Sequence, residues 1–592
     1  MGMRMKSIFF ALVAPMLMAC GAGEDDNKGI EPIDEDQPTV NTTAQLQLDI
    51  HTDRALYQPG QTILFTAEGI LPSGARVRYR QGCDVVADEA LSGASWTWTA
   101  PQRDFTGYLA DVYVSNGSTE TIYGTAGVDV SSDWSRFPRY GFVATFDQSK
   151  SPEVINKEMD FLNRYHINGI QFYDWHYKHH WPLGGTREEL MEVYTDIANR
   201  EIYTSVVKEY IARQHALGMK SMFYNLCYGA LDDAAQDGVD VKWGVFTNTS
   251  HNQDKHPLPS GWKGDIYLMD PSNKQWQQYL AERNDDVYAN FGFDGFHIDQ
   301  LGDRGTVYDY YGSQLKLESG IASFIEAMKQ RHPNRSLVMN AVSGFAAEGI
   351  GRTGKTDFMY TEMWGGESKF SDVHDIISSN STYSGGKNSI IAAYMNYGKS
   401  GSSGTFNTPG ILLTDAVMFA LGGAHLELGD GHMLCHEYFP NSNLKMSNAL
   451  QSALVTYYDF LVAYENLLRD GGTESIATLT SGNTSVALSS WPPKLQTVVT
   501  YAKNVGGRQV IHLLNFMQAN SLSWRDEQGT MPEPQSITSL PLRLKASGVK
   551  RLWVASPDNL GGAPLQLSFS KDGEYINFTL PSLKYWTMIV VE

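Results

Sequence analysis

The segment Gly295-Phe296-His297-Ile298-Asp299-Gln300 is apolar until its last turn and then acidic, and it follows a helical stretch at 273–292, NKQWQQYLAERNDDVYANFG. A short apolar run that closes such a helix is one half of a parallel βαβ unit. The alternation recurs on both sides. Upstream lie YGFVATF at 140–146, GIQFYDW at 169–175 and SMFYNL at 221–226. Downstream lie LVMNAV at 337–342, FMYTEMW at 358–364, IIAAYMN at 390–396 and AHLELG at 424–429. Helical segments at 152–166, 203–218 and 320–332 fall between several of them. Eight strands alternating with helices predict a parallel (β/α)8 TIM barrel over 133–470. A doubly wound sheet is the alternative, but no Gly-rich phosphate loop follows the first strand.

Outward from the barrel the periodicity changes. Over 44–132, QLQLDI, TILFTAEG, ARVRYRQ, SWTWTAP and YLADVYVSN alternate apolar and polar residues between turn signals such as Gln58-Pro59-Gly60. Period-two alternation at this spacing predicts an antiparallel β-sandwich of immunoglobulin-like size. Helical signals end near Gly471, and VALSSWPP, QTVVTYAK, RQVIHLLNF, VKRLWVAS, YINFTLP and WTMIVVE predict a second β-sandwich over 471–592.

At the other end, residues 1–20 read MGMRMKSIFFALVAPMLMAC, a basic start and an apolar run too short to span a bilayer. Leu17-Met18-Ala19-Cys20 resembles a bacterial lipoprotein box, so residues 1–19 are expected to be a signal peptide and Cys20 to carry lipid. Seven acids and one Lys over 24–36 describe a solvated tether, assigned to 20–43. That acidic stretch resembles the surface-export signal of Bacteroides-type lipoproteins, which implies an outer-membrane, cell-surface protein, with the periplasmic face as the alternative.

The 592 residues hold 46 Lys or Arg against 66 Asp or Glu, a net charge of −20 that excludes nucleic acid as the main partner. The 13 Trp and 31 Tyr include candidates for stacking on sugar rings, although most are expected in cores. Cys83, Cys227 and Cys435 cannot make a disulfide framework. His432, Cys435 and His436 stand close together without the second ligand pair of a zinc site, so neither metal nor cofactor is expected.

In a parallel barrel the side chains free for chemistry project from the C-terminal strand ends. Here those ends are acidic: Asp174 on strand two, Asp299 on strand four, Glu362 on strand six, with Asn340 on strand five and Glu427 and Asp430 closing strand eight. A buried carboxylate costs stability unless it is paired or used, and three on one barrel face favour a carboxylate-based site. Two such groups across a cleft suit glycosidic bond cleavage, one protonated and one ionised. Trp175, Trp181 and Trp364 adjoin the acids as candidate stacking platforms. Tyr173, His176, His179, His180, Asn225, Gln300, Asn340, His425 and Glu427 are candidate sugar-hydroxyl partners. A buried His or Asn also often serves only to satisfy backbone groups, and Glu427 and Asp430 suit bracing equally well.

Several of these stretches resemble glycoside hydrolase family 66, the dextranases and cycloisomaltooligosaccharide glucanotransferases. They are FYDWHYKHHWP (172–182), FYNLCYGA (223–230), LMDPSN (268–273), GFDGFHIDQLGDRG (292–305), TEMW (361–364), GGAHLELGD (422–430) and EYFPN (437–441). They run through the barrel in order, and the family has an immunoglobulin-like domain before the barrel and a Greek-key β domain after it. The resemblance implies a retaining endo-hydrolase of α-1,6-glucan, acting on dextran and isomaltooligosaccharides, with no cofactor. By position Asp299 matches the nucleophile, Glu362 the acid/base and Asp174 a further carboxylate at the sugar next to the scissile bond. The cyclising members carry a carbohydrate-binding module inserted in the second half of the barrel. The path from Glu362 to Glu427 leaves no room for it, so the resemblance is nearer to a dextranase, with a cyclising transglycosylase or a non-catalytic surface glycan-binding lipoprotein as the alternatives.

Overall fold

The computed structural model describes residues 41–592. The leader, Cys20 and the acidic run lie outside the described residues. The centre is an eight-stranded parallel sheet: β1 (Tyr140–Val143), β2 (Gly169–Phe172), β3 (Lys220–Leu226), β4 (Gly295–Asp299), β5 (Ser336–Val342), β6 (Met359–Glu362), β7 (Ser389–Ala392) and β8 (Ala424–Leu426). Neighbours pair in sequence order, and the Phe142 N–H donates to the Leu428 carbonyl (3.2 Å), drawing β8 against β1 so that the sheet closes. The expected TIM barrel is present, with all eight strands starting within about one residue of where the sequence places them and several ending earlier. Register sets Leu226 beside Asp299, Val342 beside Glu362 and Glu362 beside Ala392, so the acids stand at one rim. Gly295 opens β4 because a Cβ there would lie 2.3 Å from the Ser336 carbonyl oxygen.

Around the sheet lie α1 (Pro152–Arg164), α2 (Thr204–Ala216), α3 (Lys274–Asn290), α4 (Leu317–Arg331), α5 (Ala347–Thr353), α6 (Phe370–Ser384), α7 (Thr408–Ala420) and α8 (Asn448–Ala463). Asn273 caps α3 by accepting from the N–H groups of Gln275 and Trp276, and Ser151 caps α1, with Pro152 at its first position. Among the described residues no helix is long and apolar enough to cross a membrane.

The N-terminal β domain has a five-stranded sheet and a three-stranded one over a core that includes Ile50, Phe65, Val77, Tyr79, Tyr108 and Val128. Its first strand, Asn41–Ala44, pairs in parallel with Thr119–Val130. Residues 41–43, expected in the tether, therefore belong to the sheet. The closing β domain packs a seven-stranded sheet on a four-stranded one. Both are fastened to the barrel by buried polar contacts. Asp459 of α8 accepts from Gly127 N (2.8 Å) and pairs with His166 (2.6 Å), Arg139 pairs with Asp129 (2.8 Å), and the Tyr464 hydroxyl donates to the Gly562 carbonyl (2.8 Å).

Candidate active site

Asp299, the last residue of β4, is half-buried among donors. Its Oδ2 accepts from the Tyr224 hydroxyl (2.7 Å), and its Oδ1 from the Gln300 N–H (2.8 Å) and Asn340 Nδ2 (2.8 Å). Burial raises its pKa, and those three donors oppose the rise by stabilising the anion. Glu362, at the end of β6, accepts from Asn340 Nδ2 (3.0 Å) at Oε2 and from the Tyr394 hydroxyl at Oε1. Burial and the neighbouring Asp299 charge push Glu362 up to about 7. The amide of Asn340 thus gives one N–H to each carboxyl and fixes their spacing. Three donors on the Asp299 carboxylate suit it to be the ionised partner, and burial beside that charge suits Glu362 to be the protonated one.

Asp174 lies two residues beyond β2 with φ at 49°, in the left-handed region that non-glycine residues seldom occupy. This turn keeps it on the site side, where burial, opposed by Arg200 and helped by the charges of Asp196 and Asp299, pushes it up to about 7. Arg200 is itself anchored to Asp196 (2.6 Å) and to the Ala144 carbonyl (2.9 Å). Below the acids, His297 is stacked between the rings of Tyr140 and Tyr224, with Tyr360 edge-on, filling the lumen.

The structure brings Asp299, Glu362 and Asn340 into direct contact through hydrogen bonds, with Asp174 close enough to feel the Asp299 charge. Trp364 stays partly exposed beside Tyr394 (5.3 Å between ring centroids). Tyr173 is half-buried and stacks on Phe439 (4.2 Å), its hydroxyl donating to the Glu437 carbonyl. His176 is fully buried with both ring nitrogens unpartnered, and His179 Nε2 and Asn340 Oδ1 are also unpartnered.

Other expectations are corrected. Trp175 is not a platform: it is fully buried against Phe223, Phe291 and Phe293, with its indole N–H given to the Tyr224 carbonyl. Trp181 is covered by the Arg283 guanidinium of α3 (4.4 Å) and donates to the Gly185 carbonyl. Asn225 is spent within the fold on His179 and the Leu226 N–H. Both nitrogens of His180 are engaged, by Asp237 and by the Leu231 N–H. Gln300 braces the rim, donating to the carbonyls of Asn340 and Phe345. His425 and Glu427 sit at 1% and 0% exposure behind the barrel wall: Asp415 and Glu427 hold the imidazole protonated against the effect of burial, and Tyr458 caps Glu427. Asp430 pairs with Lys150 (3.2 Å). His432 donates to the Phe439 carbonyl, and Cys435 faces Asn441.

Tyr224, Tyr394 and Arg200 were missed by the sequence reading. The two tyrosines carried a usable signal, since Tyr224 and Tyr394 continue the inward-facing alternation of β3 and β7. Arg200 lies on a loop and carried none.

Comparison with known proteins places nearly the whole chain. The model of Glycosyl hydrolase family 66 matches residues 52–590. A cycloisomaltooligosaccharide glucanotransferase of Niallia circulans is 26% identical, over 92% of this chain and 71% of that protein. A dextranase of Streptococcus salivarius is 25% identical over 82% of this chain and 67% of its own length. The crystal structure of a Paenibacillus sp. cycloisomaltooligosaccharide glucanotransferase complexed with cycloisomaltoheptaose superposes with a TM-score of 0.84 at 25% identity, covering 93% of this chain and 100% of that one.

Proposed function

The chain belongs to glycosyl hydrolase family 66, and on that premise we propose that it is a retaining, endo-acting hydrolase of α-1,6-glucosidic linkages in dextran. The observation that carries the reading is the Asn340 bridge. With bonds of 2.8 and 3.0 Å from one nitrogen, the bridged oxygens of Asp299 and Glu362 are no farther apart than the sum of the two. Carboxyl oxygens held by one shared donor leave little room for a water between the groups, which favours the ~5–5.5 Å arrangement of retention over the ~6.5–9.5 Å of inversion.

In the proposed first step Glu362 gives its proton to the glycosidic oxygen, the bond from that oxygen to the anomeric carbon breaks, and an Asp299 oxygen bonds to the anomeric carbon. In the second, Glu362 takes a proton from water, whose oxygen displaces Asp299. Burial suits both roles, since a Glu held near 7 is still a proton donor at neutral pH. Asp174 positions the sugar beside the scissile bond. Trp364 and Tyr173, both partly exposed beside the acids, are the side chains placed to touch the sugar.

The second reading is cyclising transglycosylation, favoured by the activity named for the Niallia and Paenibacillus proteins. Against it, the Niallia alignment runs over 705 positions whereas this chain has 592 residues, so that relative carries segments absent here. Product analysis on long dextran decides between them. Linear isomaltooligosaccharides are expected, and a dominant cyclic product would overturn the hydrolase reading.

A further inference from the structure

The loop joining the strands Arg508–Asn515 and Ile537–Lys545 leaves the closing β domain and runs across the rim of the barrel, where it is pinned on both sides of Glu362. On the β6 side the Phe370 N–H donates to the Leu522 carbonyl (3.0 Å), the Trp524 N–H to Ser368 (3.2 Å) and the Trp524 indole to Glu367 (2.6 Å). On the β7 side the Asn396 N–H donates to the Arg525 carbonyl (2.9 Å), Asn396 Nδ2 to Asp526 (2.7 Å) and Thr414 Oγ1 to Trp524 (2.8 Å). Trp524 is 1% exposed, so it anchors the loop to the barrel.

Arg525 lies at the centre of this seam. Its Nη2 donates to the carbonyl of Met363 (3.0 Å), the residue directly after Glu362. Its guanidinium lies 5.9 Å from the Trp364 ring and 5.2 Å from the Tyr397 ring. Trp364 in turn packs on Tyr394, whose hydroxyl holds Glu362. A planar guanidinium suits this place because it binds a carbonyl at its edge and aromatic rings at its face, which an ammonium cannot do together.

We propose that Arg525, supplied by the closing β domain, is a positioning residue for Glu362 and for the leaving-group side of the cleft formed by Trp364. The proposal rests on the assignment of Glu362 as the acid/base. It gives the C-terminal domain a part in the reaction: the domain holds the β6 end and the Tyr394 loop in the register that proton donation requires.

The test compares the parent chain with Arg525→Ala on long dextran and on α-isomaltotriosyl fluoride, whose fluoride leaves without protonation. The value of kcat/KM reports only steps up to glycosylation, so slow release of the glycosyl-enzyme does not blur the comparison. A loss of about 10- to 100-fold on dextran is expected, the size of effect that small misplacements of a reacting group produce. On the fluoride the loss should stay within about threefold. Equal losses on both substrates, or none on dextran, would overturn the proposal. Arg525→Lys keeps charge and stem and supplies the same comparison if the alanine form does not fold. A parent chain inactive on both substrates contradicts the enzymatic reading itself, a failure distinct from loss of the leaving-group dependence.

Discussion

Asp299→Asn is expected to lower dextran turnover by roughly 10⁴- to 10⁶-fold, the range seen when a catalytic nucleophile or its equivalent is removed. The amide fits the same space and keeps a carbonyl oxygen for one donor, but it cannot form a stable ester with the anomeric carbon. Glucan affinity should stay within a few-fold of the parent chain, because the stacking and hydroxyl contacts of the cleft do not involve that charge. Reducing-end release measured beside dextran affinity checks both halves. Residual turnover above a few per cent of the parent would remove Asp299 from the mechanism. Joint loss of turnover and affinity would make it a binding residue. The variant also removes the charge that helps hold Glu362 near 7, so the Glu362 titration should move to lower pH.

Glu362→Gln is expected to cost about 10²- to 10⁴-fold on dextran, as general acid/base removal does. Much less should be lost from kcat/KM on α-isomaltotriosyl fluoride. In the parent chain kcat/KM on dextran should fall as pH rises through about 7, where Glu362 loses its proton; the Gln variant should lose that limb. A stability effect of fixed sign accompanies it. Glu362 titrates higher in the fold than in the unfolded chain, so the folded state binds more protons between about 4.5 and 7 and stability falls as pH rises through that window. Gln removes the penalty. The variant should therefore melt above the parent at pH 8 and together with it near pH 4. Matching Tm values at both would place Glu362 in a solvated site.

The strands were legible because each barrel strand is an apolar run bounded by helical or turn signals. Their ends were not. GIQFYDW reads as strand to Trp175, but the strand stops at Phe172 and the chain turns left-handed at Asp174. Tyr173 and Trp175 keep the run apolar because the loop itself is packed, so hydrophobicity carries no mark of the boundary. The same geometry explains the misplaced platform. Trp175 is adjacent to its acid and is directed into the helical layer, whereas Trp364 is two residues beyond its acid and remains on the same side. The acids were found because a charge at the end of an apolar strand is costly unless used. Asn225 and His425 looked similar in sequence, yet their partners, His179 and Asp415, show them to be structural. Arg525 left no local signal at all: it reaches Met363 across 162 residues of chain, and only the packing of the closing domain on the barrel brings the two together.

The proposed mechanism passes through a covalent intermediate at one carboxylate. Incubation with a 5-fluoro-α-isomaltosyl fluoride, which forms the glycosyl-enzyme faster than water releases it, followed by proteolysis and peptide mass mapping, locates that bond directly. The sugar should be found on Asp299, in the peptide containing Gly295–Asp299. An adduct on Asp174 or Glu362, or turnover of dextran with inverted anomeric configuration and no adduct, would contradict it.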